Sequence, residues 1–243
     1  MMLTINVKAF ENIPPYAFAD YLNITEFEIP EGVEEIGEYA FLGCKNLRKI
    51  TLPSTLKTIG EGAFRECESL LTLEIPEGVE TLPRYLCAWD SALISVSIPT
   101  SVTDIGSHAF AYCPSLSEIN LPSGLKHIGS NAFSFDSSLT EMIVPDTVEE
   151  LESYAFSDCS SLIKITLPAN DKMLGELLFT GCLNLQDIIC LSPGPPTFDC
   201  DSPLFDPLES SIYQKVNLSI LPSARLLFSR ATGWSPFFKQ KSP

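Results

Sequence analysis

Apolar and polar positions recur along this chain with a single spacing. The segment Leu47-Arg48-Lys49-Ile50-Thr51-Leu52-Pro53 is apolar at its first, fourth and sixth positions and ends on proline. The same ending returns at Ile29-Pro30, Ile75-Pro76, Ile98-Pro99, Leu121-Pro122, Val144-Pro145 and Leu167-Pro168, 23 residues apart. A fixed period in this range marks a solenoid, in which a unit that cannot bury its apolar face alone stacks on copies of itself. Alternation through Ile50 and Leu52 predicts a short strand with one buried face. Proline supplies no amide donor and fixes φ, so the strand must end there and the chain turn.

The second half of each unit starts with a turn often containing Gly or Ser (Glu31-Gly32, Ser54-Thr55, Ser123-Gly124), followed by an apolar pair such as Leu56 and Ile59, then Gly60 and Ala63-Phe64. Stacking places like on like, so Phe18, Phe41, Phe64, Phe110, Phe133, Phe156 and Phe179 are expected to form one core column. Each buried phenylalanine contributes about 1.5–3 kcal/mol of transfer free energy. The fuller repeats begin near Ile24, Leu47, Leu70, Leu93, Leu116, Leu139 and Leu162, with an eighth start at Leu185; Ile13, Ala17 and Phe18 belong to a partial repeat before them. Leu3, Ile5 and Val7 read as a strand that starts the sheet. Two repeats depart from the pattern. Leu86-Cys87 replaces Ala-Phe, either as a volume exchange or beside an exposed aromatic patch of Tyr85 and Trp89. Asp171 stands where Val33 or Leu56 stands elsewhere, which predicts a rebuilt turn with Met173 or Leu174 filling the gap.

The pattern L-x-x-I-x-L-P-x-x-(L/V)-x-x-I-G-x-x-A-F-x-x-C closely resembles the BspA-like leucine-rich repeats, the TpLRR class, over about residues 10 to 190. That resemblance implies an α/β solenoid: a right-handed arc with a parallel β-sheet on its concave face, used for adhesion or partner binding rather than catalysis. Residues 191–243 look like the family's C-terminal cap. There Pro193-Gly194-Pro195-Pro196 breaks the repeat, and the run from Lys215 through Pro222, Phe228, Trp234 and Phe237 resembles a closing strand, helix and aromatic plug. The expected organisation is therefore a solenoid over 1–190 (partial repeat 1–23, seven repeats 24–184, the start of an eighth 185–190) and a capping segment over 191–243. A cap is physically required, since an open last rung exposes apolar surface and a free sheet edge.

Composition narrows function without naming a ligand. With 45% apolar residues the chain can fill a continuous core, and its longest apolar runs fall short of the roughly 20 residues that span a bilayer. A net charge of −16 opposes nucleic-acid binding, which needs clustered Lys and Arg. From residue 208 onward one acidic side chain faces five basic ones, so the acid lies in the repeats. The N-terminus shows no basic region followed by an apolar stretch and cleavage site, so no secretory signal is visible. Cys44, Cys67, Cys113, Cys159 and Cys182 share one repeat position, where Tyr21, Asp90 and Asp136 stand in other repeats, and read as buried free thiols. Cys190 and Cys200 flank the repeat break and can pair in an oxidising compartment. No zinc-ligand spacing, nucleophile elbow or phosphate-cradling loop is present. Asn23-Ile24-Thr25 and Asn217-Leu218-Ser219 fit the glycosylation pattern.

Exposed strand positions carry function in such scaffolds. One column reads Glu26, Lys49, Thr72, Ser95, Glu118, Glu141, Lys164, Asp187, and the next Glu28, Thr51, Glu74, Ser97, Asn120, Ile143, Thr166, Ile189. The sequence thus points to a non-catalytic module, with no cofactor and no metal, that engages a protein partner, basic or at a host or cell surface. The candidate contacts are Glu26, Glu28, Lys49, Glu74, Glu118 and Glu141, or Tyr85 and Trp89. It further points to a monomer with no nucleic-acid partner and no membrane insertion, secreted or at the cell surface by family resemblance, with a cytoplasmic location as the alternative. The competing readings are an inert intracellular scaffold and an enzyme whose site lies in the cap around Asp199, Asp201, Asp206, Tyr213 and Arg225.

Overall fold

The computed structural model describes residues 11–170, 173–198, 203–206, 208 and 211–238. The expected strand at Leu3–Val7, together with Asp171, Asp199, Cys200 and Asp201, lies outside them. Each 23-residue unit is one rung carrying two strands. A longer strand holds the residues before the proline, as at Glu26–Glu28, Lys49–Thr51, Thr72–Glu74 and Lys164–Leu167. A two-residue strand follows the turn, as at Glu35–Ile36, Thr58–Ile59 and Glu150–Leu151. All pairing among them is parallel and in repeat register: Phe27 lies opposite Ile50, Leu73 opposite Val96, and Ile36 opposite both Ile13 and Ile59. Leu174 takes its own place opposite Leu151 and is buried, whereas Met173 is exposed.

The turns are hydrogen-bonded between rungs as fully as the strands. Phe41 N–H donates to Ala63 O (2.8 Å), Phe133 N–H to Ala155 O (2.9 Å) and Ile94 N–H to Leu71 O (2.8 Å). Carboxylates complete several of these turns. Glu31 accepts from the amide and hydroxyl of Ser54, and Glu77 from those of Thr100; these bonds hold both carboxyls below the usual range. These acids therefore serve backbone groups of the next rung's turn that would otherwise lack a partner.

Inside the rungs the phenylalanine column forms as expected. Phe41, Phe64, Phe110, Phe133, Phe156 and Phe179 are fully buried, with ring centroids 5.4–6.4 Å apart for the stacked neighbours Phe110–Phe133, Phe133–Phe156 and Phe156–Phe179. The column breaks once, at buried Cys87, between Phe64 and Phe110. Leu178 stands in the same slot as Leu86 while Phe179 is retained, so a larger first residue does not oblige a smaller second one.

A second column explains the repeated cysteine. The thiols of Cys67, Cys113, Cys159 and Cys182 are buried and donate to carbonyls of the preceding rung, at Phe41, Cys87, Phe133 and Phe156 (3.0–3.3 Å). Burial pushes these thiols well above their ordinary pKa where the shift is resolved, at Cys67, Cys113 and Cys159, so they are inert structural donors. In two rungs aspartate fills the slot. Asp90 and Asp136 are fully buried, and each accepts from a cysteine amide, Cys67 N–H at 2.8 Å and Cys113 N–H at 2.9 Å. Burial, the largest cause for both, drives the two carboxyls well above the ordinary carboxylate value.

Helices are confined to the C-terminal segment among the described residues: α1 at Ile212–Lys215 and α2 at Arg225–Arg230. Asp187–Cys190 pairs with Asn217–Ile220 across a 30-residue separation, which adds a final strand to the longer-strand sheet. Phe205 continues the phenylalanine column 5.9 Å from Phe179, and Tyr213 and Phe237 close against it edge to face. Trp234 is buried, donates its indole N–H to Pro196 O (3.2 Å) and packs on Phe228. Tyr213 and Arg225, named above as candidates for chemistry in the cap, lie against rings: Tyr213 on Phe205 and Phe237, Arg225 over Phe238 at 5.3 Å.

Phe64→Ala and Phe133→Ala should each cost about 3–5 kcal/mol in denaturant unfolding, whereas Glu80→Ala, exposed on a turn, should stay within about 0.5 kcal/mol. Small, equal effects would contradict the column. Asp90 yields a pH prediction. Below about pH 4 the carboxyl is protonated in both folded and unfolded chains. Above that the unfolded chain releases its proton while the buried group keeps it, so Asp90 lowers stability progressively until pH passes its raised folded value. Asp90→Cys restores the repeat donor and leaves Cys67 N–H its other acceptor, Phe64 O at 3.2 Å. The stability gained by this variant should therefore widen from pH 4 to pH 8 in thermal melts; a constant offset would show that Asp90 is already ionised in the fold.

Candidate functional site

The strand-face residues proposed as contacts all lie where the two-residue period puts them. Glu26, Glu28, Lys49, Glu74, Glu118 and Glu141 are exposed on the longer-strand sheet, one or two per rung. The face is less uniformly acidic than its composition implies. Lys49 stands directly opposite Glu26, and Lys164 approaches Glu141 at 3.9 Å. Among the described residues no ion pair reaches Glu28, Glu74 or Glu118. A groove of about 510 Å³ crosses this face between Glu31, Lys49, Thr51, Thr72, Glu74 and Ser97. Leu71 and Ile94, neighbours in the adjoining column, are exposed apolar side chains that the strand pattern alone did not mark.

Tyr85 and Trp89 lie on the outer turn, away from that sheet, and they do come together, with ring centroids 6.2 Å apart. They belong to a larger assembly. Trp89 stacks on Tyr112 (5.2 Å, 6°) and Tyr112 on Phe135 (4.4 Å, 7°), while Tyr85 stacks on His108 (4.9 Å). Tyr112 and Phe135 remain 38% and 39% exposed. Arg65 lies over Trp89 at 4.6 Å and Tyr85 at 5.6 Å while pairing with Glu66 (3.2 Å). Burial, with Arg84 nearby, holds His108 below its usual pKa, so the imidazole in this stack is neutral at neutral pH.

The backbone under the stack is unusual. Asp20, Glu66, Trp89, Tyr112, Phe135 and Asp158 occupy one repeat column, all with φ between 57° and 67°, and Gly43 and Gly181 fill the same place in other rungs. A left-handed conformation suits Gly, Asn and Asp and is an outlier for bulky residues. Three consecutive rungs nevertheless put Trp, Tyr and Phe there. Their ladder forms one wall of a groove of about 580 Å³; Ser91, Pro114, Ser137 and Ser160 form the other, and Glu68 and Asp158 also line it. Tyr112 and Phe135 were absent from the sequence-based candidates. Following the column from Trp89 in steps of 23 residues finds them, because Gly43, Gly181, Asp20 and Asp158 there are residue types that tolerate positive φ.

Among the described residues no group of three or more His, Cys, Asp or Glu could hold a metal ion, and no helix is long and apolar enough to cross a membrane. On the short-strand side Asp104, His127 and Glu152 line one groove together with Arg84, and His127 pairs with Glu150 at 3.3 Å. The cysteines among the described residues are buried in the core.

The model of the BspA-type leucine-rich repeat region matches residues 11–135 and 80–193. The chain belongs to this family. Leucine-rich repeats of this kind point to a protein-interaction module, and the solenoid is typically non-catalytic. A leucine-rich repeat protein from Bacteroides ovatus shares the fold at 24% identity and a TM-score of 0.58, over 84% of this chain and 70% of that one. The leucine-rich repeat protein of T. pallidum aligns at 29% identity and a TM-score of 0.52, over 72% and 71%. No curated protein matches the chain.

The positive φ at Phe135 makes a direct prediction. Phe135→Gly should be more stable than Phe135→Ala by about 1 kcal/mol, because only alanine carries the Cβ penalty of the left-handed region. Equal melting temperatures for the two variants would place residue 135 in an ordinary conformation.

Proposed function

We propose that this BspA-type solenoid is a non-catalytic binding module that holds a protein partner across several rungs of its longer-strand face, at a cell surface or after secretion. The observation that carries this reading is the alignment of exposed polar side chains in two columns along one face of successive parallel strands, with Glu26 in register with Lys49 and Ser95 with Glu118. Such a face offers one small patch per rung, so affinity accumulates from several weak contacts along the axis. Glu28, Glu74 and Glu118 give it an excess of unpaired negative charge, which favours a partner segment of basic character and speeds its encounter. Family membership supports partner binding in general; adhesion and the basic character of the partner are inferences from this surface.

The reading predicts salt-dependent capture. Exposed charges are screened beyond about 8 Å at physiological ionic strength, so partner recovered from cell-surface extracts at low salt should fall several-fold at high salt. Changing Glu26, Glu28, Glu74, Glu118 and Glu141 to Gln together should remove that dependence. Salt-independent capture, unchanged in the five-fold variant, would move the contact off the strand face.

A further inference from the structure

The aromatic ladder on the outer turn has two ends, and they are chemically alike. Its repeat column runs Glu66, Trp89, Tyr112, Phe135, Asp158, so that three stacked rings lie between two carboxylates. At the Glu66 end the chain fills the interval itself: the Arg65 guanidinium rests on the Trp89 face at 4.6 Å and pairs with Glu66 at 3.2 Å. At the Asp158 end no ring or cation other than Tyr112 contacts Phe135 among the described residues, and no ion pair reaches Asp158. A ring face beside a carboxylate is a guanidinium site, because the ring quadrupole and the anion attract the same cation. The chain thus displays, one end away, the contact that this end can make with another molecule.

The groove beside the ladder gives that cation a carrier. It runs from the rung of Glu68 to the rung of Asp158, four rung spacings of about 4.8 Å, or about 19 Å. An extended segment of about six residues spans that length. Ring edges on one wall and serine hydroxyls on the other suit a polypeptide backbone with small or apolar side chains. Glu68 is shared with Lys45 (2.8 Å) in a solvent-exposed pair, which leaves it weakly committed. Burial raises the Asp158 carboxyl above its ordinary range, the direction expected of a carboxylate with no cation beside it.

We propose that this groove is a binding site for an extended, arginine-bearing segment of a partner protein, with the guanidinium seated between the Phe135 ring and the Asp158 carboxylate. The site rests on the reading of the chain as a binding module but not on the strand face, so it stands or falls separately.

Selection of random heptapeptides displayed against the full-length chain tests it. Arginine should be enriched at one fixed position, and the leading peptide, titrated by fluorescence anisotropy, should lose at least tenfold in affinity on Asp158→Asn and on Phe135→Gly. Both variants suit positive φ, and their melting curves should show that the fold is kept. The five Glu→Gln changes on the strand face should leave this affinity unchanged. The proposal is overturned by a pool without arginine enrichment, or by an arginine peptide that binds both groove variants as tightly as the parent. Peptides lost only in the strand-face variant would overturn it too, while supporting the strand face as the docking surface.

Discussion

Every rung of this molecule is hydrogen-bonded to its neighbours through the turns as well as through the strands, and that constraint governs the rest. Phe41 N–H reaches Ala63 O and Phe133 N–H reaches Ala155 O at the same 22-residue separation, on the stretch where the chain reverses direction. A change of length within these turns would leave such groups unpaired in a buried setting, at a cost of about 1–3 kcal/mol for each, whereas next to the cap the spacing lengthens to 24 residues at Met173–Thr197 with the pairing kept. The period is therefore held at 23, and side chains at equivalent positions are forced into columns. Column formation is a consequence of backbone satisfaction. The phenylalanine stack, the thiol donors and the polar strand face are all products of it.

A column tolerates exceptions only where the local chemistry can be rebuilt. Cys87 interrupts the phenylalanine stack and remains fully buried. Asp90 and Asp136 replace a thiol with a carboxyl, a change that puts a titratable group in the core and is tolerable only because the neutral acid is favoured there. The two solutions differ in direction. A thiol donates back to the preceding rung, at Phe41 O from Cys67, whereas Asp90 accepts from the Cys67 amide of that rung. The same slot can therefore join its rungs by either polarity of hydrogen bond.

Much of the architecture was legible in the sequence, because a repeat states its period many times over. The strand positions, their stops at Pro30 or Pro168, the phenylalanine column and the buried thiols all follow from apolar spacing, and each was expected. The outer turn was less legible. Tyr85 and Trp89 flank the Leu86-Cys87 departure from Ala-Phe, whereas Tyr112 and Phe135 sit in repeats that keep Ala-Phe and carry no such mark. Their distinguishing property is a backbone dihedral angle, which sequence shows only indirectly, through Gly43 and Gly181 in the same column. On the strand face the column reading already held Lys49 and Lys164 among the glutamates, and the register adds which pairs adjoin: Lys49 lies opposite Glu26 and Lys164 beside Glu141.

The two surfaces offer different kinds of recognition. The strand face presents separate polar groups in water, where each contact is weak and specificity comes from matching a long pattern of charge. The outer-turn ladder concentrates ring area, a carboxylate and a shaped groove within five rungs, where one anchored side chain can contribute much of the binding. Backbone conformation and ring stacking distinguish them. Nothing on the strand face departs from ordinary extended backbone, so its glutamates need no explanation beyond a solvated surface. Left-handed backbone is common to both surfaces' rungs, since Tyr16, Tyr39, Tyr85, His108, Tyr154 and Leu177 adopt it in a second column as Trp89, Tyr112 and Phe135 do in theirs. What sets the ladder apart is its succession: three consecutive rungs carry rings that stack where Gly, Asp or Glu stands in the other rungs of the column.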